Sequence, residues 1–234
     1  TLPLPIYFLI GGLISIFLPK GFIKSSFVCL VPVIALLVLL NGGWDDGFKV
    51  QFLDLELNFM RVDKLSTVFG IIFCIAAFLG NIFAFHLRES TQPFVALIYS
   101  GAAIGAVFAG DLVTLFVYWE LTAISSVFLI WARKTEGAYH SGMRYLIIQV
   151  LSGVVLLFGI ALFYFEKGSI SFSKMELDSL ATALIFVAFG IKCAFPFLHN
   201  WLQDSYPSAT ITGTVILSGF TTKLAVYALA RGFP

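Results

Sequence analysis

Apolar residues in this chain come in long blocks separated by short polar breaks, near 4–19, 25–41, 65–86, 93–110, 112–132, 143–165, 180–202 and 208–231. A helix that crosses a bilayer needs about 20 such residues. The pattern therefore predicts an all-α polytopic membrane protein of about eight transmembrane helices. The break between the fourth and fifth blocks is only Gly110-Asp111, where Asp111 suits a helix N-cap. One long polar segment, WDDGFKVQFLDLELNFMRVDKLS (44–66), follows a different period. Apolar residues alternate at Phe48, Val50 and Phe52, then, one position out of step, at Leu53, Leu55, Leu57 and Phe59. A period of two with a phase slip predicts a small β-hairpin between the second and third helices. No glycine or asparagine marks a turn at the slip, so a single bulged strand is the other reading. The second polar stretch, EKGSISFSKMELDS (166–179), is expected to lie on the surface.

Composition strengthens the membrane reading. The chain is 59% hydrophobic and 12% charged, with 26 phenylalanines among 234 residues; soluble domains carry about 25% charged residues. The first block lacks a basic leader and an A-x-A cleavage site, so it reads as a span and not a removable signal. A net charge of +1 without a basic tract gives no reason to expect nucleic acid. Cys29, Cys74 and Cys193 are odd in number, lie in apolar runs and form no CxxC, so they read as packing residues. No dinucleotide fingerprint, P-loop, haem or iron–sulfur ligand set is present, so no cofactor or metal is expected and redox chemistry, if any, happens elsewhere. Gly101 and Gly105 form a GxxxG spacing suited to close helix packing.

Loop charges divide evenly. Lys20, Lys24, Arg88, Arg133, Lys134 and Arg144 fall on one face, and Lys49, Arg61, Lys64, Lys167, Lys174 and Arg231 on the other. The first set sits in the shorter loops, where the positive-inside rule applies best, which places the N-terminus and the hairpin outside the cytoplasm.

Charged side chains near helix ends can reach the interface. Three here cannot do so easily: Glu120 in LFVYWELTAISS, Lys192 in GIKCAFPFLHNW and Lys223 in LSGFTTKLAVYA. Each costs about 2.5–3.5 kcal/mol on insertion scales. An ion pair that locks helices together would account for two of them. One glutamate cannot neutralise two lysines, and a leftover buried lysine can shed its proton and act as a carrier. Pro196 lies four residues after Lys192; a helical proline there would free the Lys192 carbonyl and break the helix beside the amine. Broken helices at membrane depth are tolerated where they line a hydrated cavity. His199, seven residues past Lys192, is expected on the same face and could relay a proton. His86 and His140 read as solvated loop residues, Asp204 as a flank of the seventh helix. Ser125, Ser126, Thr221 and Thr222 are hydroxyls able to order water.

GDLVTLFVYWE (110–120) followed by IKCAFPFLHNWLQDSYPSATITGTVILSGFTTKLAVYALAR (191–231) resembles the antiporter-like membrane subunits shared by respiratory complex I and Mrp-type multisubunit sodium/proton antiporters. The combination K-x3-P-x2-H-x-W-L-x-D, then S-G-x3-K, then Y-x3-R carries the resemblance. Complex I relatives read A-P-T-P-V-S-A where this chain has Ser208-Ala209-Thr210-Ile211-Thr212, which is more similar to the D-subunit branch of the Mrp side. The resemblance implies proton translocation through Glu120, Lys192 and Lys223, a helix break at Pro196 and a relay histidine at His199. It implies partner membrane subunits, exchange of protons for a monovalent cation such as Na+, a lipid environment, the bacterial cytoplasmic membrane, and transport in place of catalysis. It further implies helices 1–3 and the hairpin loop over 1–92 and a first antiporter repeat over 93–234. Such proteins have about fourteen helices in two inverted repeats, so the chain is expected to be a fragment or one part of a split protein. The alternatives are a proton-pumping subunit of an NADH:quinone oxidoreductase or membrane-bound hydrogenase, and a structural module of such a complex.

Overall fold

The computed structural model describes residues 2–42, 48–52, 55–87 and 91–234. Arg88, placed above among the loop charges, lies outside the described residues, as do Leu53 of the alternating pattern, residue 54 and residues 43–47. The elements in order are α1 (Leu4–Phe17), α2 (Phe22–Leu40), β1 (Lys49–Phe52), β2 (Leu55–Asn58), α3 (Lys64–Phe83), α4 (Thr91–Phe108), α5 (Leu112–Trp131), α6 (Glu136–Lys167), α7 (Leu180–Cys193), α8 (Asn200–Ser205) and α9 (Ile211–Gly232).

Six of these helices, α2, α3, α4, α5, α6 and α9, are long and apolar enough to cross a membrane. Two more, α1 and α7, are apolar but only 14 residues long, about 21 Å at 1.5 Å per residue. The eight apolar blocks thus become eight apolar helices, two of them cut short. The backbone of α1 turns extended at Leu18, the residue before Pro19, where the proline ring disfavours helix. The block at 180–202 divides into α7 and the short α8. In the opposite direction, α6 runs 32 residues, well beyond 143–165, because Thr135 caps its first turn and Gly168 ends it in a left-handed conformation. Lys24 and Arg144 consequently lie inside helices and not in connecting loops.

The packing is inverted relative to a water-soluble bundle. Phe17, Phe22, Ile147, Val154 and Phe165 are exposed, while Ser126, Gln149, Ser152, Lys192 and Thr221 are buried. Helix α4 occupies the centre against α1, α3, α5 and α9. Its GxxxG glycines face different neighbours: a Cβ at Gly101 would sit 2.5 Å from Phe8, and one at Gly105 would sit 2.4 Å from the Tyr118 ring. Neither approach is compatible with a larger residue, so the close-packing reading holds.

The alternating segment is a two-stranded antiparallel hairpin, pairing Lys49 with Asn58 and Phe52 with Leu55. It docks on the α4–α5 junction. Asp111 accepts from the Thr114 N–H at 2.7 Å as the N-cap of α5, and its other oxygen accepts from the Asn58 N–H at 2.7 Å. The loop at 166–179 is less superficial than its polarity suggests. Ile170, Phe172 and Met175 are buried, and Ile170 accepts from the Leu112 N–H at 2.8 Å. Arg61 Nη1 donates to the Phe172 carbonyl at 2.6 Å, while Arg231 clamps Asp63, the cap of α3, at 2.7 Å. Asp63 is partly desolvated, yet the Ser66 N–H and the Arg231 guanidinium hold its carboxyl below the usual aspartate range.

Candidate functional site at the broken helix

Helix α7 begins at a Ser179–Thr182 capping box and stops inside the protein. Ala194 turns left-handed, at φ 61° and ψ 51°, and the Phe195 N–H closes on the Gly190 carbonyl at 3.0 Å. Trp201 Nε1 donates to the Ile191 carbonyl at 3.0 Å. The termination therefore precedes Pro196, which lies exposed in the loop that follows; the proline keeps the chain from re-entering the helix but is not where it breaks. A left-handed alanine is strained by about 1–2 kcal/mol relative to glycine. Ala194→Gly is accordingly expected to raise the thermal stability of the detergent-solubilised protein by about 1 kcal/mol, and Pro196→Ala alone to leave the break in place. A melting temperature that falls in Ala194→Gly would show that the methyl group contributes more than the strain costs.

The last turn of α7 carries Lys192, which is 0% exposed. A helix C-terminus favours a cation. Its Nζ donates to the Trp119 carbonyl at 3.1 Å and to Thr122 Oγ1 at 3.0 Å, both on α5, and lies 4.5 Å from the centre of the Trp119 ring. The ring is fixed in turn: Trp119 Nε1 donates to Ser152 Oγ at 3.1 Å, and Ser152 donates to the Ala188 carbonyl at 2.9 Å. A single chain of bonds thus latches α5, α6 and α7 around the ammonium.

Glu120 lies next to Trp119 but points to α6. A Cβ on Gly153 would be 1.5 Å from Glu120 Oε1, so only glycine leaves room for the carboxylate. That oxygen is buried and has no hydrogen-bond partner among the described residues. Nor does any ion pair among the described residues join Glu120 to Lys192, although each group feels the other's charge. The helix-locking ion pair is therefore not what holds this region together.

Two expectations fail on geometry. Lys223 is exposed, not buried: the buried stripe of α9 runs through Phe220, Thr221, Leu224 and Ala225, and Lys223 falls outside it, donating to the Ser218 carbonyl at 2.7 Å. His199 does not share a helix face with Lys192, because residues 194–199 are not helical and both Ala194 and Phe197 have positive φ. It stands half-buried at the start of α8, with no side-chain capping bond. Asp204 is held on α8 by a bidentate contact from Arg144, at 2.7 and 2.9 Å. His140 and His86 are exposed, as expected of loop-proximal residues.

A second buried polar group was not legible in the sequence. Tyr99, Tyr145 and Tyr206 converge beside α9: Tyr99 is hydrogen-bonded to Thr221, Tyr145 to Ser126 at 2.7 Å, and both Tyr99 and Tyr206 donate to the Leu217 carbonyl. Ser126 and Thr221 stand out in the sequence as hydroxyls inside apolar blocks; the tyrosines that join them do not. Ser125 bonds carbonyls of its own helix. No set of three His, Cys, Asp or Glu side chains able to hold a metal gathers among the described residues.

Residues 109–234, more than half of the chain and the segment that carries Glu120, Lys192 and Lys223, match the sequence model of the NADH:quinone oxidoreductase/Mrp antiporter transmembrane family. The chain belongs to this family. It is 28% identical over 200 residues to a Na(+)/H(+) antiporter protein of Alkalihalophilus pseudofirmus, covering 77% of this chain and 25% of that one. It is 29% identical over 204 residues to a Staphylococcus aureus protein named for an antiporter subunit, mnhD2, covering 82% and 40%. The chain therefore spans well under half the length of these relatives. The same fold occurs in an archaeal membrane-bound sulfane sulfur reductase, with TM-score 0.83 and 22% identity over 97% of this chain and 52% of that one. It recurs in the Mrp complex of Dietzia sp., with TM-score 0.80 and 22% identity over 97% and 47%. Respiratory complex I from Thermus thermophilus gives TM-score 0.82 and 20% identity over 98% and 52%. The molecule is an integral membrane protein of the fold these complexes share.

Proposed function

We propose that the chain is the proton-conducting part of a membrane component of a multisubunit monovalent cation/proton antiporter, exchanging protons for a cation such as Na+. The observation that carries this reading is Lys192: fully buried at an intramembrane helix end, its ammonium rests on a carbonyl and a hydroxyl while the nearby Glu120 Oε1 stays unpartnered. Such an arrangement is costly as scaffold and useful as a carrier. A proton that reaches Glu120 cancels the attraction between the two groups and releases the Lys192 proton. It then moves toward α9, where Lys223 on the exposed face hands it to whatever lies alongside. In this reading α4–α9 form one antiporter repeat, residues 1–92 form the N-terminal part, the partners are other membrane subunits, and the chain itself catalyses no reaction. The setting is the bacterial cytoplasmic membrane with the hairpin outside.

Everted vesicles that contain the full-length protein in its complex are expected to show collapse of an imposed proton gradient on addition of Na+ or another monovalent cation. No exchange with any of these cations would overturn the antiporter reading. The family and the fold also admit a proton-pumping component of a redox complex. Co-purification of NADH- or iron–sulfur-binding partners with the native complex would favour that reading instead.

A further inference from the structure

Helix α6 buries a single stripe that includes Tyr145, Gln149, Ser152 and Leu156. Gln149 is 0% exposed, and neither its amide nitrogen nor its oxygen has a partner among the described residues. A buried primary amide left unpartnered is costly, and such a group in a native structure calls for an explanation. Its position supplies one. Three contacts fix the antiparallel register of α5 on α6: Trp119 to Ser152, Ser126 to Tyr145, and Trp131 to Gly142. In that register Gln149 stands opposite Thr122 and Ala123. Ser152 to Ala188, together with Gly159 to Ala181, fixes α6 on α7 and places Gln149 opposite Ile191 and Lys192. The amide is therefore level with the ammonium from both sides. Lys192 has three N–H donors, of which Trp119 and Thr122 accept two.

We propose that Gln149 is a positioning residue for Lys192: its buried amide holds an internal water against the third ammonium N–H and so directs proton release toward Tyr145 and Ser126. The inference rests on the proton-carrying reading of Lys192 given above. The water accepts the ammonium proton as one of its own passes to the Tyr145 oxygen and the Tyr145 proton passes on through Ser126. One N–H bond breaks, each oxygen in the relay gives up one O–H bond as it gains another, and the amide itself is unchanged. The next oxygen along α6 belongs to Tyr145, one turn away and already bonded to Ser126. The amide can serve because it offers both a donor and an acceptor, the two functions needed to orient one water.

The test compares Gln149→Leu, Gln149→Asn and Gln149→Ala in the full-length protein, with assembly of the complex and its thermal stability measured beside exchange in vesicles. Leucine matches the shape without the amide, and is expected to cut exchange about tenfold while stability holds or rises. Asparagine keeps the amide and is expected to stay within about threefold of wild type, whereas alanine removes it and leaves only room for water, and is expected to fall between asparagine and leucine. A packing role predicts a different order, with leucine best and alanine worst. If Gln149→Leu does not assemble, Gln149→Met carries the same comparison. Near-normal exchange in Gln149→Leu while Lys192→Met is inactive would overturn the proposal and leave the wider reading standing; full exchange in Lys192→Met would overturn both. A density map of the wild-type complex that resolves ordered waters and shows the Gln149 amide dry would also overturn it.

Discussion

Glu120→Gln is expected to lower cation-coupled proton exchange by at least about 100-fold while the protein still inserts and assembles. The amide keeps the shape that fits over Gly153 and removes only the ability to take up a proton. Among the described residues no ion pair joins Glu120 to Lys192 and Oε1 has no hydrogen-bond partner, so the substitution breaks neither kind of contact. Its effect on stability should be neutral or favourable, since a charge leaves an apolar setting. Glu120→Asp should retain part of the activity, its carboxylate withdrawn by one methylene. Gly153→Ala approaches the same atom from the other side: with a Cβ 1.5 Å from Oε1, the carboxylate must swing away although its chemistry is intact. Loss in both Glu120→Gln and Gly153→Ala identifies carboxylate position and charge as the requirement. Full exchange in Glu120→Gln vesicles would remove Glu120 from the proton path.

The span pattern was readable because burial in lipid demands long apolar blocks, and each block became a helix. What shortened α1 and α7 and lengthened α6 was local backbone chemistry: Leu18 before Pro19, a left-handed Ala194, and caps at Thr135 and Gly168. The hairpin was readable only in part: the period of two and its slip fitted a hairpin or a bulged strand alike, and the pairing of Phe52 with Leu55 decides for the hairpin. The site was readable in part. An acidic or basic residue inside an apolar block announces itself, so Glu120 and Lys192 stood out. Lys223 looked the same in sequence yet faces outward, because a block that is apolar all round does not reveal which side of α9 meets its neighbours. For the same reason Gln149 and Tyr145, ordinary residues in a 32-residue helix, acquire meaning only from the α5 and α7 residues opposite them. His199 was misplaced by extending helical geometry across residues that are not helical. The proline was the visible sign of the break; the turn itself rests on an alanine that no propensity would choose.

Lys192→Arg is expected to be as damaging as loss of the charge altogether. The lysine ammonium fits a pocket with no exposure, bounded by the Trp119 carbonyl, Thr122 Oγ1 and the face of the Trp119 indole. A guanidinium keeps the positive charge and can stack on the indole. It therefore preserves most of what a purely structural cation would supply. Two things change. The larger planar head must displace atoms in a closely packed space, and, more decisively, it cannot give up its proton in a protein. A carrier would then be locked in one state even in a correctly assembled complex, whereas a strut would keep its role wherever the complex still assembles. Lys223→Ala, on the exposed side of α9, should also block onward transfer without disturbing the Lys192 pocket, since Lys223 bonds only its own helix among the described contacts. The decisive measurement is proton-dependent exchange by Lys192→Arg in a complex whose assembly has been verified. Near-normal turnover there would make Lys192 scaffold, and the polar cluster between α5, α6 and α7 would have to be read as packing that tolerates charge and not as a route for it.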